Sequence, residues 1–70
     1  MREMKEVIDR IEYHLFTNYR GPAIGIKDLD TGAVVSTLNY PSPELAQEAY
    51  DTLTAAMWQI AARGVNPDGL

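Results

Sequence analysis

Residues 2–16 read Arg2-Glu3-Met4-Lys5-Glu6-Val7-Ile8-Asp9-Arg10-Ile11-Glu12-Tyr13-His14-Leu15-Phe16. Met4, Val7, Ile8, Ile11 and Leu15 recur at spacings of three and four residues, which gathers side chains on one stripe of an α-helix. The first element is therefore expected to be a helix, ending near Thr17. Lys5, Asp9, Arg10 and Glu12 occupy its other side, and Glu6 stands four residues before Arg10, the favourable order for a surface pair. Asn18, Gly21 and Pro22 oppose continuation, because glycine is entropically costly in a helix and proline lacks the amide proton.

Working outward, Ala23–Asp28 and Ala33–Tyr40 carry β-branched residues on either side of Asp28-Leu29-Asp30-Thr31-Gly32, which is turn chemistry. A β-hairpin is expected, with Asp28 accepting from the turn amides and Gly32 supplying a positive φ. Alternation places Ile24, Ile26, Val34 and Leu38 on the side that the helices should cover. The second helix is announced by Pro41-Ser42-Pro43-Glu44: Ser42 can cap, Pro43 fits the first helical position and Glu44 complements the dipole. Its core stripe is read as Ala46, Ala49, Leu53, Ala56, Met57 and Ile60, with Tyr50 at the border and Gly64 as the stop.

The expected class is α+β in the order α-β-β-α, a two-stranded antiparallel hairpin covered by two helices. One domain occupies residues 1–64, and residues 65–70 form a flexible C-terminal tail with Pro67 and Gly69 and no periodicity. A hairpin alone is marginal, and chains below about 70–80 residues gain only a few kcal/mol from one core. Association is the remaining route to stability, either as a four-stranded sheet completed by two copies or as a helix-packed dimer.

The chain has 70 residues, six Lys and Arg against ten Asp and Glu, and a net charge of −4. This is the reverse of a phosphate-binding footprint, so nucleic acid is not an expected partner. The charged N-terminal stretch lacks the apolar centre of a signal peptide, and no run approaches the roughly 20 apolar residues of a membrane span. With no cysteine, a cytoplasmic setting is expected. No cofactor is expected.

Trp58 lies off the core stripe of the second helix beside Thr54, Ala55 and Ala62. Small alanines permit close approach and tryptophan is enriched at interface hot spots, so these four residues are the candidate interface. Glu44, Glu48 and Asp51 form an acidic ridge, read first as a solvated face and second as a surface for a basic partner. His14, the only histidine, lies at the border of the first helix's stripe without an orienting carboxylate, and Ser42 is explained by capping. Tyr13, Phe16, Tyr19, Tyr40 and Tyr50 are expected to close the edges of a small core. Gly21, Gly25 and Gly32 match no phosphate-binding spacing.

The stretch from Asp28 through Thr31-Gly32 to Val35, followed by Pro41 and the helix from Glu44, resembles the hairpin-then-helix end of the flagellar protein FlaG family. The resemblance covers less than half of the chain, and departs where Tyr40-Pro41-Ser42-Pro43 lengthens the junction and where the first half offers fewer strands. It implies a small accessory or regulatory protein without catalytic residues. The residues themselves point to a small acidic, non-enzymatic protein–protein interaction module acting as a homodimer. The alternatives are an inhibitor or adaptor of phage or plasmid type that binds a basic host protein, and a small-ligand module lined by tyrosines.

Overall fold

The computed structural model describes residues 1–64. Four strands, β1 (Met4–Ile8), β2 (Ile11–Asn18), β3 (Gly21–Asp28) and β4 (Val34–Asn39), precede one helix, α1 (Pro43–Gly64). The strands make one antiparallel sheet in the order β1-β2-β3-β4, and α1 packs on one face of it against β1, β2 and β3. The α+β class holds, whereas the α-β-β-α order does not: residues 2–16 form a second hairpin instead of a helix. The four-stranded sheet expected from two copies is completed within one chain. The tail assigned to residues 65–70 lies outside the described residues.

A two-residue turn explains why the N-terminal stretch imitates a helix. Met4, Glu6 and Ile8 alternate along β1, Asp9 and Arg10 turn the chain, and the alternation restarts at Ile11, Tyr13 and Leu15, with Met4 opposite Leu15 and Ile8 opposite Ile11. The apolar positions 4, 8, 11 and 15 thus fall four, three and four residues apart, the same spacing a helical stripe would give. Two residues separate the patterns. Tyr13 joins the core at 3% exposure, while Val7 turns to the opposite face and is 50% exposed.

Asp9 and Arg10 both have positive φ, 51° and 68°, the pair of left-handed conformations that suits the twist of a tight hairpin. Aspartate tolerates this region, whereas arginine adopts it at a cost. The Arg10 carbonyl accepts from Leu29 N–H at 3.0 Å, and its guanidinium meets Asp30 at 3.3 Å in an exposed pair of little energetic weight. Arg10→Gly is expected to stabilise the protein by about 0.5–1 kcal/mol. The check is a higher urea midpoint at unchanged slope; a lower midpoint would show that the side-chain contacts outweigh the backbone cost.

The other local signals work as expected. Asp30 N–H donates to Asp28 Oδ1 at 2.9 Å, Gly32 N–H donates to the Asp28 carbonyl at 2.8 Å, and Gly32 has φ 76°. At the start of α1, Leu45 N–H donates to Ser42 Oγ at 3.2 Å and Ala46 N–H to the Ser42 carbonyl at 3.1 Å, so Ser42 caps and Pro43 begins the helix.

The core consists of Ile8, Tyr13, Leu15 and Ile24 from the sheet and Ala46 and Tyr50 from the helix, with Ile11, Ile26, Leu53, Met57 and Ala61 packed around them. The helix is rolled relative to the expected stripe. Tyr50 sits at the centre, wholly buried, whereas Ala56 is exposed and Ile60 is 54% exposed. The roll buries the large Tyr50 ring in place of Ala56 and Ile60, and brings the Tyr50 hydroxyl to the Tyr13 carbonyl, to which it donates at 3.2 Å. Thr54 is drawn in with it, its hydroxyl donating to the Tyr50 carbonyl at 2.9 Å.

Candidate interaction surface

Rolling α1 toward β1 leaves the opposite flank open. Leu38 stands opposite Ile24 on the same face of the sheet, yet Ile24 is 1% exposed and Leu38 51%. The cover supplied by the helix therefore ends between β3 and β4. Leu38, expected beneath the helices, is instead solvent-facing. Val34, expected on the same side, pairs with Lys27 and lies on the opposite face of the sheet with His14 and Phe16, because an extra residue in β4 shifts the alternation. Val34 and Val35 are both exposed. On the helix side of this boundary Leu45 and Ile60 are each about half exposed, and Ala49 and Ala56 lie between them on the same flank. Tyr40, Leu45, Ala49, Leu53 and Ala56 line a mainly apolar groove of 640 Å³, bordered by Glu48 and Thr52.

The β1 side is built differently. The Trp58 indole N–H donates to Glu6 Oε2 at 3.0 Å, and the Gln47 amide reaches Met4 Sδ at 3.7 Å, so the helix arches its side chains over β1. The carboxylate of Glu6 also lies near the Tyr50 hydroxyl; burial first, and this charge second, push Tyr50 up to about 12.

The proposed interface residues are thus not one patch. Trp58, half exposed, leans on the β1 edge; Thr54 is 5% exposed and faces the core; Ala55 and Ala62 are exposed on the outer side of α1. Glu44, Glu48 and Asp51 are brought together, lining a hollow of 520 Å³ with Met1, Pro43 and Gln47, whose amide donates to Asp51 Oδ1 at 3.1 Å. His14 lies on β2, on the sheet face away from α1. It stacks on Phe16 with ring centroids 4.6 Å apart, and its Nε2 meets the Glu3 carboxylate. Gly25 lies beneath this stack, where a Cβ would come within 3.2 Å of the Phe16 ring. Close approach, and not the turn chemistry of its neighbours, accounts for that glycine.

The exposed edge strand β4, with Leu45 beside it on α1, carries one legible signal in the sequence. Residues 33–39 hold no charge, although a strand at the edge of a sheet is ordinarily guarded by one. Among the described residues no helix is long and apolar enough to cross a membrane, and no group of three or more His, Asp or Glu side chains could hold a metal ion. The chain matches no family model, no curated protein and no solved structure.

Proposed function

We propose that this chain is a non-enzymatic protein–protein interaction module that acts as a homodimer in the cytoplasm. The observation that supports the reading is the uncovered apolar flank, in which Leu38, Leu45 and Ile60 are between 47% and 54% exposed beside the edge strand β4. Clustered apolar surface of this kind is what a partner removes from water, at about 25 cal/mol for each Å² buried. The drive to associate is therefore not the thin core of a lone hairpin, because one chain supplies its own four strands. It is the part of α1 and β4 that one helix is too narrow to cover.

Sedimentation equilibrium of the full chain at micromolar concentration tests the reading. A mass of about twice the 7.8 kDa of one chain is expected, reverting toward one chain in Leu38→Glu, which sets a charge into the apolar flank. A wild-type mass of 7.8 kDa throughout would remove the homodimer.

A further inference from the structure

We infer that the partner surface is the open edge of β4, and that its occupant is β4 of a second copy, paired antiparallel about a two-fold axis at Thr37. This rests on the homodimer reading above and specifies its geometry. The two edges of the sheet are not equivalent. β1 carries Lys5 and Glu6 and is overhung by Trp58 and Gln47, whereas β4 carries no charge and no proline, and its side chains are mostly exposed. Charges and covering side chains are the devices that prevent strand addition, so among the described residues only the β4 edge is left able to accept a strand.

The backbone of β4 is suitably disposed. Tyr40 N–H donates to the Pro22 carbonyl at 2.9 Å, and alternation along an antiparallel ladder then turns Leu38 and Ser36 toward β3 and Thr37 and Asn39 toward the open edge. The irregularity between Ile26 and Lys27 makes Val35 the extra residue of β4 and marks the N-terminal limit of the usable edge. The Asn39 side chain is held away from that edge, donating to Asn18 Oδ1 at 2.8 Å and to the Gly21 carbonyl at 3.2 Å. A two-fold axis at Thr37 sets each Thr37 opposite its mate, a favourable cross-strand pair, and each Asn39 opposite Val35.

Charge favours a second copy as the occupant. Antiparallel pairing brings the β3–β4 loop of one copy to the β2–β3 loop of the other. The first end holds Asp28 and Asp30, with Asp9, Arg10 and Lys27 near by, and is net negative; the second holds Arg20. Of the acidic ridge on α1, Glu44 and Asp51 line the outer hollow and Glu48 alone also borders the apolar groove, so the net charge of −4 on each copy is not concentrated at the contact.

The test compares Thr37→Lys with Ala55→Arg in the full chain, by sedimentation and by circular dichroism. Because the Thr37 side chain is exposed and its backbone faces outward, Thr37→Lys is expected to keep the monomer fold and to weaken dimerisation by roughly tenfold or more, by placing like charges opposite each other. Ala55→Arg, on the outer side of α1, should leave the dimer intact. In the wild-type protein, amide exchange at Thr37 and Asn39 should slow as concentration rises through the dimerisation range. A dimer that survives Thr37→Lys and is lost in Ala55→Arg overturns the edge pairing and leaves the homodimer standing. A wild-type dimer without protection at Thr37 and Asn39 does the same, even if Thr37→Lys fails to fold. A wild-type monomer at every concentration overturns both.

Discussion

Tyr13→Ala is expected to destabilise the protein by about 3–5 kcal/mol, and Val7→Ala by less than about 0.5 kcal/mol. Tyr13 is enclosed between β2 and the helix at 3% exposure, so its removal leaves a cavity among Ile8, Leu15, Ile24 and Tyr50. Val7 projects from the face without a helix and loses little when shortened. A domain of this size has a total stability on the order of 5 kcal/mol, so Tyr13→Ala should be largely unfolded at room temperature. Urea titration followed by circular dichroism separates the two variants. Comparable losses at both positions would contradict the hairpin, since a helical stripe over residues 2–16 makes Val7 a core residue and Tyr13 a peripheral one.

The second large effect is alkaline. The buried Tyr50 hydroxyl donates to the Tyr13 carbonyl, and burial, followed by the charge and hydrogen bonding of Glu6 and the charge of Asp51, raises its pKa from 10.0 to about 12. Between these values the folded protein retains a proton that the unfolded chain has released. The stabilisation is thus fully present below the unfolded value of 10.0 and is lost as pH rises through the folded value. Two pKa units correspond to about 2–3 kcal/mol. Tyr13 is raised as well, by burial and then by Asp9, and acts in the same direction. Unfolding by urea at intervals from neutral pH to about pH 12 should show this loss. Tyr50→Phe should lower neutral stability by about 1 kcal/mol, because the buried hydrogen bond to the Tyr13 carbonyl is lost, and should leave only the smaller alkaline decline due to Tyr13. An undiminished decline in Tyr50→Phe would move its origin away from Tyr50.

The second half of the chain was legible because its signals are local. Asp28 and Gly32 form the turn with their own neighbours, and Ser42 with Pro43 starts the helix by bonding to amides three and four residues on. The first half was not legible because its decisive feature, a turn at Asp9 and Arg10, uses no glycine, and the phase change across it reproduces helical spacing. Tyr13 and Val7 alone distinguish the patterns, and an amphipathic stripe tolerates either at its margin. The candidate interface was only partly legible for a related reason. Apolar residues occupy a broad arc of α1, and the side of that arc which meets the sheet depends on Tyr50 reaching the Tyr13 carbonyl across 37 positions of sequence.

Composition, turn residues and capping residues by themselves determined the α+β class, the β3–β4 hairpin and the start of α1, since each of these depends on atoms a few residues apart. Only the tertiary structure decided that residues 2–16 pair as strands, that α1 rolls toward β1, and that β4 with Leu38 and Leu45 is left open. Those outcomes turn on which buried surface is largest once all four strands are assembled, a competition among distant residues that no short window of sequence contains.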